Sequence, residues 1–269
     1  MSNNWIDRGI SARMWKKLIG LGGSTREARR YRLPEGRRLY AIGDVHGRRD
    51  LLDQLLRRID ACDHDRQAAA SALLFVGDLI DRGPDSRGVV ERVMQLAHAG
   101  KVAALLMGNH EEILIRAAEG DLKAAGLFAR IGGRETMLSY GVDETTWNRA
   151  EVEALPTLIA DHVPQAHLDF LRGAQDVHSA GDYLFVHAGI RPNIAIEEQQ
   201  SRDLRWIRGE FLTYRGEHGQ LVIHGHTITD EVDEQPNRIG IDTGAYATGR
   251  LTAIGLEGDQ RWYLTATAA

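Results

Sequence analysis

The chain has 269 residues, of which 43% are hydrophobic and 26% charged, and its formal net charge is −5. This balance gives no overall attraction to nucleic acid or to an anionic membrane. The single cysteine, Cys62, excludes an intramolecular disulfide, and no apolar run approaches the ~20 residues of a membrane span. Charged residues between positions 7 and 17 interrupt any secretory signal. We therefore expect a cytoplasmic protein that binds no nucleic acid; the oligomeric state stays open.

Residues 1–37 are rich in arginine, lysine and glycine and are predicted to form an N-terminal extension. Apolar residues between positions 5 and 19 would fall on one face of a short helix. We favour the interpretation that this face packs against the rest of the protein or that the segment is partly disordered. Docking to a membrane surface or a partner is the alternative.

The next part of the chain alternates strand and helix patterns. "RLYAIGD" (38–44), "SALLFVGD" (71–78) and "KVAALLMGNH" (101–110) are predicted strands. Leucines and an isoleucine recur at helical spacing over 51–59, and 86–100 is a second predicted helix that ends at a glycine. A βαβαβ order predicts a mainly parallel sheet with helices on its faces.

Residues 115–180 are predicted to be a helical cap inserted over this core. Five short apolar runs follow, and each is predicted to be a strand: 183–189, 221–226, 238–244, 251–257 and 261–265. Because they follow one another closely, hairpin pairing is favoured and the second half is predicted to be antiparallel.

Polar side chains with oxygen or nitrogen donors follow five of these strands. They occur in Gly43-Asp44-x-His46, Gly77-Asp78, Gly108-Asn109-His110, Val186-His187 and Gly225-His226. A single aspartate after a strand is usually a turn former, and a single histidine there is usually a packed core residue. Their recurrence at five strand ends instead favours one metal site at the edge of the sheet, since parallel strands end on the same edge. A set of oxygen and nitrogen ligands that contains no cysteine thiolate suits Mn²⁺, Fe or Zn²⁺.

The segments "GDVHG" (43–47), "GDLIDRG" (77–83), "GNHE" (108–111), "VHAG" (186–189) and "HGHT" (224–227) resemble, in order, the signature of the phosphoprotein phosphatase branch of the metallophosphoesterases. In particular, they are similar to bacterial and bacteriophage-lambda-type serine/threonine phosphatases. The resemblance implies an α/β, calcineurin-like metallophosphoesterase fold, with two mixed β-sheets packed as a sandwich flanked by helices. The predicted domain spans 38–265, including the cap insertion at 115–180.

The resemblance also implies a centre with two divalent metal ions, Mn²⁺ being favoured and Fe, Zn²⁺ or Co²⁺ the alternatives. Asp78 would bridge both ions, and the remaining ligands would be Asp44 and His46 for the first ion and Asn109, His187 and His226 for the second. His226 is preferred to His224 because the family's ligand precedes the threonine of a Gly-His-Thr step. His224 is expected to pack nearby.

In the resembled family, the histidine after the asparagine ligand is the general acid and an aspartate holds it. Here these residues are His110 and Asp81. The alternative interpretation of Asp81 is that Asp81-Arg82 only forms a turn at the entry to a helix. Phosphate binding is expected from Arg82, Asn109 and, in "DLRWIRGEF" (203–211), from Arg208, with Arg205 as an alternative. Arg191 and Tyr246 are further candidates for the cleft.

The resemblance implies a metal-dependent phosphomonoesterase that attacks phosphate with a hydroxide bridging the two metals. A serine/threonine protein phosphatase, with dual specificity as an option, is the first hypothesis, and its partner would be a phosphorylated protein or a small phosphoester. The alternative is a hydrolase of diadenosine polyphosphates or other nucleotides, whose relatives carry aspartate where this chain has Glu111. A metal-binding scaffold without catalysis is the non-enzymatic alternative.

Overall fold

A computed structural model of the chain describes residues 30–268. The helix face predicted between positions 5 and 19, and most of the predicted extension 1–37, lie outside the described residues. The strands of the described part are β1 (Arg37–Ile42), β2 (Ala70–Phe75), β3 (Val102–Leu105), β4 (Val177–Ala180), β5 (Tyr183–Val186), β6 (Leu221–His224), β7 (Asp233–Glu234), β8 (Arg238–Gly240), β9 (Arg250–Glu257) and β10 (Gln260–Thr267).

Most of the helices lie between β1 and β4. In chain order they are α1 (Arg49–His64), α2 (Ser86–His98), α3 (Asn109–Ala118), α4 (Leu122–Ile131), α5 (Gly133–Ser139), α6 (Glu144–Arg149), α7 (Leu155–His162), α8 (Gln165–Arg172), α9 (Ser201–Trp206), α10 (Gly209–Thr213) and α11 (Ala245–Thr248). Helices α4 to α8 all fall within the segment predicted to be a helical cap. None of the helices in the described part of the chain has both the length and the apolar composition needed to cross a membrane.

The strands form two five-stranded mixed sheets, ordered β10-β9-β1-β2-β3 and β4-β5-β6-β8-β7. Alternation along β1 explains how the first sheet is covered on both faces. Leu39 and Ala41 pack with residues of the second sheet, including Phe185. Tyr40 and Ile42 pack on the opposite face, against residues of α1 such as Leu52. Successive side chains of a strand point to opposite faces, so a strand buried on both sides is apolar throughout.

A further apolar cluster lies on the outer face of the second sheet. There Val186 of β5 and Val222 of β6 pack with Leu204 of α9 and Phe211 of α10. The two sheets therefore pack face to face with helices outside each of them. This confirms the predicted α/β sandwich of two mixed sheets flanked by helices.

The prediction that the second half of the chain is antiparallel is wrong for the centre of the second sheet. Strand β5 pairs with β6 in parallel, and β6 pairs with β8 in parallel. The chain between β5 and β6 holds α9 and α10, and a connection of that length permits a parallel crossover. Among the strands of residues 30–268, antiparallel pairing is confined to β4–β5, β7–β8, β9–β10 and β9–β1. Parallel pairing matters for function because it brings the carboxyl ends of β5 and β6 to one edge.

Candidate dinuclear metal centre

The loops that follow β1, β2, β3, β5 and β6 bring the predicted ligands together around Asp78. Its two carboxylate oxygens face different histidines. Oδ2 lies 3.5 Å from His46 Nε2, and Oδ1 lies 3.4 Å from His187 Nε2. His187 Nε2 is also 3.0 Å from Asn109 Oδ1. All of these side chains are buried.

Two groups of side chains are close enough to hold a metal ion, and Asp78 belongs to both. The first contains Asp78, His46 and His110; the second contains Asp78, His187 and His226. A carboxylate shared by two groups is the arrangement expected for a bridging ligand. The first group includes His110, whose Nε2 lies 3.8 Å from Asp78 Oδ2. This position would also allow His110 to be a metal ligand, a role that the sequence-based prediction did not assign to it.

Main-chain carbonyls orient two of the histidines. His46 Nδ1 lies 2.8 Å from the oxygen of Ile80, and His187 Nδ1 lies 2.8 Å from the oxygen of Val76. A carbonyl oxygen can only accept, so each Nδ1 carries the proton and each Nε2 presents a lone pair toward Asp78. Metal-binding histidines are commonly held through the other ring nitrogen in this way.

The protonation states of these histidines and of Asp78 also favour the binding of a cation. Burial lowers the pKa of His46 to about 3 and the pKa of His226 to about 2, and it lowers the pKa of His187 as well. Neutral imidazole is the form that binds metals. Burial acts to raise the pKa of the Asp78 carboxyl, but the surrounding histidines outweigh burial and hold that pKa below its ordinary value. Asp78 is therefore ionised at neutral pH while the histidines keep their lone pairs.

Asp44 joins the centre from the loop after β1. Its Oδ2 accepts a hydrogen bond from the main-chain N–H of His226 at 3.0 Å. Its Oδ1 is buried and has no hydrogen-bond partner among the described residues. Burial, with the nearby carboxyl groups of Asp242 and Asp78, raises the pKa of Asp44 well above its ordinary value, so the Asp44 carboxyl must either hold a proton or be neutralised by a cation. Oδ1, the neutral imidazoles and the amide oxygen of Asn109 thus form a donor set that fits divalent ions of the Mn²⁺, Fe or Zn²⁺ type.

Unusual backbone conformations concentrate at this centre. Five of the six non-glycine residues with positive φ in the described chain belong to it, namely His46, Asp78, Asp81, Arg82 and His226. Left-handed backbone at non-glycine residues costs on the order of 1–3 kcal/mol each and tends to persist at functional sites. The surrounding hydrogen bonds must therefore stabilise these conformations.

Glu111 supplies several of those hydrogen bonds. Its carboxylate accepts the main-chain N–H groups of Asp78 at 2.8 Å, Leu79 at 2.8 Å, Ile80 at 3.3 Å and Gly108 at 3.1 Å. The side chain is fully buried. Glu111 was predicted only as a weak indicator of substrate, but its oxygens bind the loop after β2 and the start of α3 and so shape the centre instead.

His110 and Asp81 form the ion pair that the resemblance implies. His110 Nδ1 lies 2.6 Å from Asp81 Oδ2, and both side chains are buried. Burial acts to lower the pKa of His110, but the carboxylates of Asp78 and Asp81 outweigh it, so this pKa lies above its ordinary value. The ring can therefore carry a proton on Nε2, facing the centre. Asp81 is therefore more than a residue of a helix-entry turn, because its side chain binds His110.

Two arginines reach the centre, one at each group of candidate ligands. Arg82 Nη1 lies 3.2 Å from His46 Nε2. Arg208 Nε donates to His226 Nε2 at 3.0 Å. Tyr246, which is 37% exposed, places its ring 4.7 Å from the Arg82 guanidinium carbon. Forked guanidinium donors at this position suit the binding of phosphate oxygens.

Three other candidates lie elsewhere. Arg191 forms ion pairs with Asp203 and Glu210 at the surface. Arg205 pairs with Asp176. His224 belongs to neither group of candidate ligands; it is buried, and its Nε2 lies 3.4 Å from Arg238 Nη1.

Sequence reasoning did not identify Asp242 or Thr136. The Asp242 carboxyl lies beside Asp44, and burial raises the pKa of Asp242 to about 6. Two adjacent buried carboxyl groups repel each other unless a proton or a cation lies between them. The signal for Asp242 was present, because this residue directly follows β8 and Ile241 in the same way that Asp44 follows β1. Thr136 hydrogen-bonds to Asp81 from α5, and no sequence pattern indicates that contact.

Comparison with known proteins agrees with this architecture and chemistry. The family model described as calcineurin-like phosphoesterase matches residues 37–234. The match covers more than half of the chain, so the chain belongs to this family of metallophosphoesterases.

The curated relatives are nucleotide hydrolases. A symmetrical bis(5'-nucleosyl)-tetraphosphatase of Dechloromonas aromatica is 33% identical over 153 residues, which are 57% of this chain and 44% of that enzyme. The chain thus spans less than half of this relative. An asymmetrical bis(5'-nucleosyl)-tetraphosphatase of Bacillus anthracis is 27% identical over 232 residues, which are 79% of this chain and 88% of that enzyme.

Similar solved structures carry the same fold. A candidate diadenosine tetraphosphatase matches with a TM-score of 0.60 and 23% identity, covering 86% of this chain and 95% of that one. A protein-tyrosine phosphatase of a psychrophilic Shewanella species matches with a TM-score of 0.52 and 20% identity, covering 87% of this chain and 83% of that one. At such identities the likeness concerns the fold alone.

Proposed function

We propose that this protein hydrolyses dinucleoside polyphosphates at the centre around Asp78. The observation that carries the proposal is the pair of ligand groups sharing Asp78, with an arginine at each group. A polyphosphate bridge carries several negative charges along a short chain, and this arrangement offers it positive charge at successive points. The curated relatives, which are bis(5'-nucleosyl)-tetraphosphatases, support this alternative over the first hypothesis of a serine/threonine protein phosphatase.

The ligands of two divalent cations would be Asp44, His46, Asp78, Asn109, His187 and His226. When bound, such ions neutralise phosphoryl oxygens and activate water. The chain supplies the remaining functions. Arg82 and Arg208 orient the phosphate through paired N–H donors. Asn109 is the first residue of α3, and in this proposal its amide also binds the phosphate.

His110 has a further role in this proposal, namely to give a proton from Nε2 to the leaving oxygen. Asp81 keeps the proton of Nδ1 in place, so the ring keeps one orientation while the other nitrogen acts. Tyr246 adds an exposed aromatic surface beside Arg82, and nucleobases stack readily on such rings. A nucleoside next to the bound phosphate would find this surface.

The test supplies metal-free protein with Mn²⁺, Co²⁺, Zn²⁺ or Fe²⁺ in turn and measures hydrolysis of diadenosine tetraphosphate by chromatography. The products distinguish symmetrical cleavage to two ADP from asymmetrical cleavage to ATP and AMP. A phosphoserine peptide is assayed in parallel. The proposal requires a higher kcat/KM for the dinucleotide than for the peptide.

The reverse preference would instead support a protein phosphatase. A protein that binds two metals and hydrolyses neither substrate would support a scaffold. Inactive substitutions serve as the control for contaminating phosphatases: Asp78→Asn protein, purified identically, must lack the activity.

A further inference from the structure

Thr136, at the middle of α5, contacts Asp81 from the predicted cap segment. Its Oγ1 lies 2.6 Å from Asp81 Oδ1 and accepts the main-chain N–H of Asp81 at 2.9 Å. Ser86 Oγ lies 3.0 Å from the same Thr136 oxygen. All three side chains are fully buried. The contact between Thr136 and Asp81 spans 55 positions of the chain.

The directions of these hydrogen bonds follow from counting protons. An ionised carboxylate can only accept, and a threonine hydroxyl has one proton to give. The Thr136 proton therefore goes to Asp81 Oδ1. The contact between Ser86 and Thr136 must then use the proton of Ser86. A directed chain runs from Ser86 through Thr136 to one oxygen of Asp81, and His110 Nδ1 donates to the other.

The same segment fixes the backbone at Asp81 and Arg82. Both residues have left-handed conformations, with φ of 71° and 69°. Thr136 and Ser86 accept the N–H of Asp81, and the oxygen of Gly132 accepts the N–H of Arg82 at 3.1 Å. The segment from Gly132 to Thr136 therefore stabilises a conformation that costs on the order of 1–3 kcal/mol per residue.

We propose that Thr136 is a positioning residue for proton donation by His110. By binding Oδ1, Thr136 sets the plane of the Asp81 carboxylate and reserves Oδ2 for His110 Nδ1. The ring of His110 then keeps the orientation in which Nε2 faces the reacting phosphate. This inference rests on the proposed function only for the role of His110 as proton donor; it does not depend on the nucleoside.

The experiment compares Thr136→Val, which keeps the shape and removes the hydroxyl, with Thr136→Ser, which keeps the hydroxyl. Both are assayed on a series of aryl phosphates that runs from p-nitrophenyl phosphate to phenyl phosphate. Phenol has a pKa of about 10, as tyrosine has, so phenolate is basic enough to need a proton as it leaves. The p-nitrophenolate anion is much more stable and leaves without one. Loss of a proton donor therefore affects phenyl phosphate selectively.

We expect Thr136→Val to lower kcat for phenyl phosphate by about 10-fold, a part of the 10²–10⁴ that a general acid supplies, and to leave kcat for p-nitrophenyl phosphate nearly unchanged. Thr136→Ser should behave like the wild type on both. Thr145→Val, at an exposed threonine near the start of α6, is the surface control. Equal losses over the whole series, or no loss at all, would overturn the proposal, since a purely structural defect has no dependence on the leaving group.

A second readout needs no activity. In metal-free protein, the His110 Nδ1 proton that Asp81 holds should give a proton NMR signal shifted far downfield, which is assigned by its loss in His110→Asn. The signal should persist in Thr136→Ser and shift or broaden in Thr136→Val; an identical signal in both variants would contradict the proposed positioning.

If Thr136→Val does not fold, Ser86→Ala perturbs the same chain of hydrogen bonds from its other end. It should give a smaller loss with the same dependence on the leaving group, and a uniform loss would count against the proposal. The failure of the proposed function looks different: the wild type would then hydrolyse the aryl phosphates and leave diadenosine tetraphosphate intact.

Discussion

Asp44 Oδ2 accepts the main-chain N–H of His226 at 3.0 Å, although the two residues lie 182 positions apart. The hydrogen bond joins the loop after β1, in the first sheet, to the loop after β6, in the second. It also fixes the Asp44 carboxylate so that Oδ1 lies buried without a donor. The candidate centre therefore depends on how the two sheets pack, and each half of the sandwich contributes candidate ligands to it.

Asp78→Asn should weaken both metal sites together. Asp78 belongs to both groups of candidate ligands, and replacing one carboxylate oxygen by an NH₂ group removes a charge and a donor atom. We expect the bound metal, measured by atomic emission after dialysis, to fall for both ions. Asp50→Asn, at an exposed residue of α1, is the control. Retention of two equivalents in Asp78→Asn would contradict the bridging role.

His110→Asn should keep both metals and lose turnover. His110 Nδ1 is bound to Asp81 rather than directed at a cation, so the ring is expected to act on the leaving group. The loss of kcat should be on the order of 10²-fold for poor leaving groups and smaller for p-nitrophenyl phosphate. If the metal content falls with the activity, His110 is a ligand, as its position within the first group of side chains also allows.

Arg208→Ala should lower kcat/KM on the order of 10²-fold, the scale of losing a preorganised donor to a reacting phosphoryl group. Arg208 donates directly to His226 at the centre. Arg191→Ala is the control, because Arg191 is a surface arginine whose donors are bound to Asp203 and Glu210. Equal effects of the two substitutions would indicate that Arg208 contributes only general positive charge.

Glu111→Gln should lower the free energy of unfolding by about 2 kcal/mol, because both oxygens of Glu111 accept main-chain N–H groups and one of these buried donors would then face an amide NH₂ group. Chemical denaturation of the metal-free protein measures this. Glu119→Gln, at an exposed glutamate just after α3, should change little. The ratio of dinucleotide to phosphopeptide turnover should stay the same in Glu111→Gln; a changed ratio would restore Glu111 as a determinant of substrate.

Gly77→Ala and Gly36→Ala separate crowding from backbone strain. Both glycines have positive φ, but only Gly77 is crowded: an added Cβ would lie 2.7 Å from the nitrogen of Gly108. Gly36 has open space there, so its substitution should cost only about 1–2 kcal/mol of left-handed strain. Gly77→Ala should destabilise the protein more and also reduce metal binding, because it displaces the neighbouring Asp78. Equal destabilisation with intact metal binding would refute this account.

Much of the fold and many of the site residues could be predicted from the sequence because the physical causes are local. Leu51 to Ile59 repeat at helical spacing and cover α1's buried face. The run from Leu39 to Ile42 is apolar throughout because both faces of β1 are covered. A glycine followed by Asp or Asn comes shortly after β1, β2 and β3, where the backbone turns and the candidate ligands meet.

What the sequence left undetermined depends on contacts between distant residues. The parallel pairing of β5 with β6 requires the crossover that contains α9 and α10, whereas the short spacing of the strands predicted hairpins. Nothing in the sequence indicates which main-chain groups Glu111 binds, and Thr136 meets Asp81 only because α5 folds over the loop after β2. The sequence by itself determined the candidate ligands and most of the elements that carry them, since hydrophobic periodicity and turn chemistry act over a few residues. Only the tertiary structure decided which groups orient those side chains, since hydrogen bonds across 31 to 182 positions form only when the sheets and helices have packed.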